Sequence, residues 1–136
     1  MIFVDSSAWF ATSFAGDRHN AAAKSLINAA DKLVTTDHVL VETWLLINSR
    51  FGHHFAEAYW RRTFGFPLTV VTVTNDDLKV AWTIGQTFSD QTFSIADRTS
   101  FVVMERLGIT RVISFDNDFV IYRYGPVRDR ASEVLR

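Results

Sequence analysis

Four carboxylates occur in this sequence where they could act together on one ligand. Asp5 directly follows the apolar run IFV, and Asp116 follows the segment VISF. Glu42 lies among the large apolar residues of VLVETWLL, and Asp97 lies in the segment SIADRTS. Carboxylates in apolar surroundings usually pair with a cation or share protons. If the fold brings all four together, their repulsion predicts a bound cation, and Mg²⁺ or Mn²⁺ suits oxygen ligands.

Phosphodiester hydrolysis is the chemistry that such a site supports, because a divalent cation can activate water and stabilise charge on a phosphoryl group. Each acid also has a structural interpretation when it is taken singly. Asp5 could cap the helix after it, and Asp116 could end its strand in a turn. Ser94-x-x-Asp97 is a helix-start signature, and Glu42 could lie on a solvated face. The conjunction of the four acids favours the metal site.

Composition and length are those of an ordinary globular protein. The chain has 136 residues, and we predict a single domain over residues 1–136. The absence of cysteine excludes disulfides and thiolate zinc sites, and a net charge of −1 argues against a highly basic nucleic-acid coat. We find no signal peptide and no apolar segment of membrane length, and therefore expect a cytoplasmic protein.

Strand-like and helix-like segments alternate along the chain. The runs IFV, KLVTT, LTVVTV and RVISF predict strands, with RVISF the last of them, and helical patterns separate them. We expect a serine to cap the helix SSAWFATSF and Asp37 to cap the helix HVLVETWLLINSRF. Ser94 and Asp97 begin the clearest helix, and Gly108 ends it. The polar tail RYGPVRDRASEVLR is either an RNA-binding segment or a frayed end.

This alternation predicts an α/β fold with three layers, α/β/α, and a central, mainly parallel sheet of four or five strands. In such folds ligands bind beyond the carboxyl ends of the strands. Asp5 and Asp116 lie directly after strands, so both are expected at that edge.

Four segments of the sequence resemble the acidic motifs of the PIN-domain nucleases: FVDSSAW, VLVETW, DQTFSIADRTSFVVMERLGI and VISFDNDF. Their order and spacing are similar to those of the VapC-type toxins, and the similarity covers essentially the whole chain. The resemblance implies a PIN-like domain and a divalent-metal-dependent endoribonuclease, with Mg²⁺ or Mn²⁺ as the cofactor and RNA as the substrate. It also implies a homodimer that is neutralised by a small, VapB-like antitoxin.

The resemblance also assigns roles to individual residues of this sequence. Asp5 and Asp97 become direct metal ligands, while Glu42 and Asp116 complete the pocket by orienting water or acting as general base. Serines beside two of the acids, and two further aspartates, are candidates for the surroundings of the pocket: Ser6, Ser114, Asp118 and Asp90. A helix cap for Ser6 and a strand-edge hydroxyl for Ser114 are the alternatives.

Four arginines are candidates for RNA contacts: Arg50, Arg61, Arg62 and Arg98. Arginine pairs with phosphate, and the aromatic residues around Arg61 and Arg62 can stack on unpaired bases. A solvated helix face is the alternative for this pair, and an outward salt bridge for Arg98. The same helical hairpin is rich in aromatic residues, which favours either a groove for a dimer mate or antitoxin segment, or core packing: Trp44, Tyr59, Trp60, Phe64 and Phe66.

Other functions are compatible with parts of the pattern. An RNA-processing nuclease of the same fold, with no antitoxin, would use the same acids, and an inactive PIN scaffold would only bind RNA or protein. A signalling receiver requires paired acids after the first strand, where Ser6 and Ser7 stand, and a lysine after the last. A haloacid-dehalogenase phosphatase requires a second aspartate at position 7. The serines therefore disfavour both phosphate chemistries.

Overall fold

A five-stranded parallel sheet forms the centre of the protein, in a computed structural model that describes residues 1–136. The strands are β1 (Ile2–Val4), β2 (Leu33–Thr36), β3 (Thr69–Val71), β4 (Arg111–Ile113) and β5 (Glu133–Leu135). They lie in the order β3-β2-β1-β4-β5, and every neighbouring pair is parallel. The prediction of a mainly parallel sheet of four or five strands is confirmed.

Seven helices connect these strands. They are α1 (Ser6–Thr12), α2 (Asn20–Ala29), α3 (Asp37–Phe51), α4 (His53–Phe64), α5 (Asn75–Thr87), α6 (Ile95–Leu107) and the short α7 (Asp118–Ile121). From β1 the sheet first grows through β2 to β3, and the chain then returns to place β4 on the other side of β1. Right-handed crossovers therefore put α1 to α4 on one face and α5 with α6 on the other. The predicted three-layer α/β/α fold is confirmed.

The central strands are buried on both faces, which explains why they appear in the sequence as continuous apolar runs. Phe3 and Val4 of β1 and Val112 and Ile113 of β4 have no exposed surface. Because β1 pairs with β4 through Val4 and Ile113, the residues that follow these two strands leave the sheet side by side. The core thereby fixes the relative positions of the segments that begin at Asp5 and at Ser114.

Two helix caps differ from the predicted ones. The cap of α1 is Asp5, whose carboxylate accepts a hydrogen bond from the Ser7 backbone N–H at 3.4 Å, so the predicted serine cap is wrong. The cap of α3 is Thr36, whose hydroxyl accepts from the Val39 N–H at 3.1 Å. The predicted cap Asp37 is instead the first helical residue, because its carboxylate accepts the Val73 N–H at 3.0 Å beyond β3.

Helices α3 and α6 end at glycines with positive φ. Gly52 has φ 95° and separates α3 from α4, so the two helices form a hairpin. Gly108 has φ 69° and ends α6, as predicted, and Ser94 and Asp97 form the predicted capping box at its start. Glycine is favoured at both turns because positive φ is strained for residues with a side chain.

The polar tail contains a strand, so its interpretation as a frayed end is wrong. Residues Glu133–Leu135 form β5, which pairs with β4 through Val134 beside Val112 and Leu135 beside Ile113. The side chains of Arg111 and Glu133 add a cross-strand ion pair of 3.2 Å. A three-residue strand of this kind has too short a pattern to be seen in the sequence, and the same holds for the four-residue helix α7.

An ion pair between α5 and α6 is expected to contribute strongly to stability. Arg106 donates Nε to Oδ1 of Asp77 at 3.1 Å and Nη2 to Oδ2 at 2.8 Å, and Asp77 is 3% exposed. The same carboxylate accepts the Thr74 N–H in a capping box. We expect Asp77→Ala to lower the free energy of unfolding by about 3 kcal/mol, because it leaves Arg106 without its partner and opens the cap.

Urea denaturation measures this loss, and the exposed neighbour Asp76 offers the matched control on the same helical turn. Asp76→Ala is expected to change the free energy of unfolding by less than about 0.5 kcal/mol. Equal effects of the two substitutions would contradict the role of the Asp77–Arg106 pair.

None of the helices is both long enough and apolar enough to cross a membrane.

Candidate active site

Three aspartates converge at the carboxyl edge of the sheet, where its direction of growth reverses between β1 and β4. Asp5 follows β1, Asp116 follows β4, and Asp97 lies in the first turn of α6. One carboxylate oxygen from each of the three lies within 4.8 Å of the others. This reversal point is where parallel α/β sheets generally bind ligands. We name Asp5, Asp97 and Asp116 the acidic triad.

Asp97 combines both of the interpretations that its sequence position allowed. Its Oδ2 accepts the Ser94 N–H at 2.9 Å, and its own N–H donates to the Ser94 hydroxyl at 3.0 Å. The capping box therefore fixes the side chain by one oxygen. The other oxygen has no hydrogen bond to a protein donor and is free to bind a ligand at the triad.

Serine hydroxyls orient the carboxylate of Asp5. Its Oδ2 accepts from Ser7 Oγ at 2.8 Å and from Ser114 Oγ at 3.0 Å, whereas Ser6 Oγ makes only a longer contact of 3.4 Å with Oδ1. Ser114 lies there because the register of β1 and β4 sets it beside Asp5. The hydroxyls leave Oδ1 as the less occupied oxygen of a carboxylate that is 1% exposed.

Burial and repulsion between carboxylates raise the pKa values of Asp5 and Asp97. Burial raises the pKa of Asp5 to about 7, with repulsion from Asp116 as the next cause. Burial raises the pKa of Asp97 to about 8, and repulsion from Asp5 adds to it. The pKa of Asp118 is raised as well, first by burial and also by the charge of Asp116. Without a cation, Asp5 and Asp97 therefore hold protons near neutral pH.

The donor set of the triad fits a divalent cation. No lysine, arginine or histidine forms an ion pair with Asp5, Asp97 or Asp116, so the negative charge has no counter-ion from the protein. All of the available ligand atoms are carboxylate oxygens, which suits Mg²⁺, Mn²⁺ or Ca²⁺ and disfavours the softer metals. A bound cation would neutralise the negative charge of these buried carboxylates. In its absence, bound protons do so.

The triad lies at the base of an open cleft of about 570 Å³. Asp97 and Asp116 line the cleft, while the buried Asp5 lies behind Ser6 and Ser7, which do line it. The remaining walls come from α1, the loop before α2, α3, and the loops before α6 and after β4. They are formed by Phe10, Ala11, Asp17, His19, Glu42, Leu46, Arg50, Thr92, Ser94, Phe115 and Asp118.

Glu42 and Arg50 reach this cleft from α3, which packs against α6. Glu42 is half-buried and makes no ion pair. It lies outside the three-residue cluster, so it is a wall residue near the triad. Arg50 is the only lysine or arginine that lines the cleft, and its guanidinium lies 5.5 Å from the centre of the Phe10 ring.

Asp118 and Asp90, the two outer candidates, have different surroundings. Asp118 lines the cleft, and its backbone N–H donates to Oδ1 of Asp116 at 2.9 Å. Asp90 is exposed and contacts only the neighbouring Gln91, so it does not line the cleft.

Three of the four candidate arginines also lie outside the cleft. Arg61 is exposed on α4, and Arg62 donates to the Ser13 hydroxyl at 3.1 Å beside a separate cavity. Arg98 is folded back along its own helix. It lies against Gly85 of α5 and donates to the carbonyl of Phe93 at 3.1 Å, which gives it a packing role.

Comparison with known proteins identifies the fold family. The family description "PIN domain" matches residues 2–124, which is most of the chain. The protein belongs to the PIN-domain family. The 23S rRNA-specific endonuclease VapC20 of Mycobacterium tuberculosis is 38% identical over 129 residues, which cover 94% of this chain and 98% of the relative. The resemblance to the VapC-type members of the family is thereby confirmed.

Two solved structures have the same fold as this protein. The crystal structure of VapC20, named a sarcin-ricin loop cleaving toxin, has a TM-score of 0.82 to this protein and covers 88% of this chain and 93% of its own. A toxin–antitoxin complex from Klebsiella pneumoniae contains a chain of the same fold, with a TM-score of 0.65 at 13% identity. That match covers 89% of this chain and 92% of the other.

Sequence reasoning missed two features of this PIN-domain site. Ser7, rather than Ser6, makes the short hydrogen bond to Asp5, and it also accepts the Phe115 N–H at 2.9 Å. The spacing offered a signal, because Asp5 is a helix cap and the second residue after a cap returns towards it. His19, for which the sequence suggested no role in the site, lines the cleft beside Phe115. No local pattern connects these two residues.

Proposed function

We propose that this protein is a divalent-metal-dependent endoribonuclease and the toxin of a toxin–antitoxin pair. The observation that carries the proposal is the acidic triad, whose carboxylate oxygens lie within 4.8 Å of one another at the base of an open cleft. Membership of the PIN-domain family and 38% identity to an rRNA-specific endonuclease add support.

The residues of the cleft have distinct roles in this proposal. Asp5, Asp97 and Asp116 hold the cation, Mg²⁺ or Mn²⁺, with Ser7 and Ser114 fixing the carboxylate of Asp5. When bound, the cation supplies positive charge that stabilises the charge developing on the phosphate. Glu42 faces the same cleft without an ion pair, so it is the free carboxylate that can orient water or accept its proton.

The RNA that we propose as the first substrate is the sarcin–ricin loop of 23S rRNA. The relative VapC20 is named for that target, and the match to it extends over nearly the whole of both chains. The cleft is open and has a volume of about 570 Å³, which leaves room for an unpaired base to turn into it.

Incubation of the purified protein with ribosomes tests the enzymatic part of the proposal. Primer extension across the 23S rRNA is expected to detect a single cut when Mg²⁺ or Mn²⁺ is present and none when EDTA removes the metal. Cleavage at full rate in EDTA would contradict the metal dependence. A cut elsewhere in the RNA would support the nuclease activity but contradict the sarcin–ricin loop as the substrate.

Exposed apolar side chains on α3 and α4 support the proposal of an antitoxin partner and a homodimer. Helices α3 and α4 carry large apolar side chains that are 40% exposed or more: Val41, Leu45, Leu46, Phe51, Phe55 and Phe64. Of the aromatic residues considered from the sequence, Tyr59 is in the core and Phe64 is 67% exposed. Exposed apolar area of this extent is typical of protein interfaces.

Expression in bacteria tests the toxin part separately. Induction is expected to stop growth, and the product of the neighbouring small open reading frame is expected to restore it. Normal growth with accumulated, RNA-cleaving protein would favour the alternative of an RNA-processing nuclease without an antitoxin. Accumulated protein that cleaves no RNA would favour an inactive scaffold.

Substitution of Arg50 is expected to weaken RNA binding with little effect on the chemical step. Arg50→Gln removes the only arginine or lysine in the cleft, and we expect a rise in KM of about tenfold with kcat within about twofold. KM rises with salt concentration, and the slope of log KM against log salt concentration reports the number of phosphates that the protein neutralises. In Arg50→Gln this slope should decrease by about one, because one phosphate contact is lost. Arg61→Gln, outside the cleft, is the matched control, and equal effects of both changes would contradict a specific role for Arg50.

A further inference from the structure

Two aromatic rings from distant parts of the chain form a stack in the wall of the cleft. The imidazole of His19, in the loop before α2, lies over the ring of Phe115, in the loop after β4. The ring centroids are 4.6 Å apart, and the planes differ by 18°. Both residues line the cleft, and both are partly exposed. We name this pair the aromatic stack.

Hydrogen bonds hold each half of the aromatic stack in place. The backbone N–H of His19 donates to Oδ1 of Asp17 at 2.8 Å, and Arg18 Nε donates to the imidazole Nε2 at 3.0 Å. The backbone N–H of Phe115 donates to Ser7 Oγ at 2.9 Å, and Ser7 in turn donates to Asp5. The stack is therefore rigidly connected to the acidic triad.

The aromatic stack lies beside the acidic triad, so it is placed to contact the substrate as well as to stabilise the fold. Phe115 stands between Ser114 and Asp116, so its ring leaves the backbone beside a carboxylate of the triad. A partly exposed phenyl ring loses stabilisation by facing water, whereas a nucleobase offers it an apolar face. Around the triad most wall residues are acidic or small, and the two stacked rings provide a flat aromatic surface among them.

We infer that the aromatic stack binds an unpaired nucleobase next to the phosphate that is cut. This inference rests on the proposed function and deepens it, because it makes His19 and Phe115 positioning residues for the RNA. Stacking on aromatic side chains tolerates any base but requires that the base be unpaired. The stack would therefore favour loops over duplexes and align the neighbouring phosphate with the triad.

Leucine and aromatic substitutions separate stacking from simple packing. His19→Leu and Phe115→Leu keep an apolar side chain but lose the flat ring, and we expect each to raise KM about tenfold with kcat within about twofold. His19→Phe and Phe115→Tyr keep a ring and are expected to retain the wild-type KM. Thermal melting of each variant checks the fold, and His19 provides the safer position because Phe115, unlike His19, packs against the hydrophobic core.

Fluorescence of 2-aminopurine gives a readout that a purely structural role would not move. The probe is a sarcin–ricin hairpin RNA with single loop purines replaced by 2-aminopurine, bound to protein carrying Asp5→Asn so that it is not cut. We expect quenching at one loop position, loss of that quenching with either leucine variant, and its return with the aromatic variants.

The outcomes distinguish the inference from the function on which it rests. If the wild-type protein cuts RNA but folded leucine variants keep both KM and quenching, the stacking inference is overturned. It is also overturned if aromatic and leucine variants are impaired equally. If the wild-type protein cuts neither this hairpin nor ribosomal RNA, the proposed function fails, and the stacking inference fails with it.

Discussion

Replacing Asp5 with asparagine is expected to reduce RNA cleavage by at least about 10³-fold, a loss typical of removing a group that stabilises transition-state charge. Asp5 lies within 4.8 Å of Asp97 and Asp116 and has no counter-ion. Asparagine keeps the shape of the side chain and one acceptor oxygen but removes the charge that attracts the cation. The loss is therefore expected in kcat together with a weaker affinity for metal.

The same substitution is expected to make the metal-free protein more stable above neutral pH. Burial and the charge of Asp116 raise the pKa of Asp5 to about 7, so ionising Asp5 in the folded state is unfavourable. Asparagine avoids that cost and is an equally good helix cap. At about pH 8 in EDTA we expect a gain on the order of 2 kcal/mol in the free energy of unfolding.

A gain in stability with a loss of activity is the result that distinguishes a functional carboxylate from a structural one. Cleavage assays and urea denaturation of the same preparation measure both quantities. Asp31→Asn, at an exposed turn far from the cleft, is the control and should change neither. If Asp5→Asn retained full metal-dependent activity, or unfolded the protein, the assignment of Asp5 to the metal site would be wrong.

The sequence predicted the acidic triad because the residues lie at positions that the fold determines simply. Asp5 and Asp116 follow adjacent parallel strands, and the first turn of the helix that begins after Ser94 carries Asp97 to the same edge. Apolar runs and a capping box are local patterns, and they are strong here. For both Asp5 and Asp97 a cap does not exclude a place in the site, since each carboxylate caps a helix and also lies in the triad.

Features that depend on side-chain direction or on long-range contacts could not be predicted from the sequence. Ser7 contacts Asp5 more closely than Ser6 does, because Asp5 is the N-cap of α1. A helix that began one residue later would point the two serine side chains in different directions. The pairing of β5 with β4 depends on long-range contacts, and the three residues of β5 carry almost no pattern. Arg98 neighbours Asp97 in sequence, yet it turns away from the cleft because it lies against Gly85.

Raising the pH is expected to destabilise the metal-free protein between about pH 4 and about pH 8. Unfolded aspartates ionise near their ordinary pKa of 3.8, whereas the folded protein holds the pKa of Asp5 at about 7 and that of Asp97 at about 8. In this interval the folded state binds more protons than the unfolded state, so each rise in pH favours unfolding. The loss is complete above the folded-state pKa values.

The size of this effect is on the order of 5 kcal/mol, because one unit of pKa shift corresponds to about 1.4 kcal/mol and the two coupled groups do not add fully. Asp118 acts in the same direction, since burial first of all raises its pKa. Asp37 and Asp77 act at lower pH. Burial by itself would raise the pKa values of Asp37 and Asp77. Hydrogen bonds from His38 to Asp37 and from Arg106 to Asp77 outweigh burial and lower both pKa values below 3.8, so neither group titrates in this interval.

Mg²⁺ or Mn²⁺ should reverse this destabilisation, and the reversal should grow with pH. A cation competes with protons for the carboxylates of Asp5 and Asp97, so it binds weakly where they are protonated and strongly above about pH 8. Urea denaturation in EDTA and in metal-containing buffer, at the two ends of this interval, measures the difference. Asp97→Asn should remove much of both the pH dependence and the metal effect. Equal stabilisation by metal at both pH values would mean that the cation binds away from the triad, because its binding to carboxylates that are protonated at the lower pH must be weaker there.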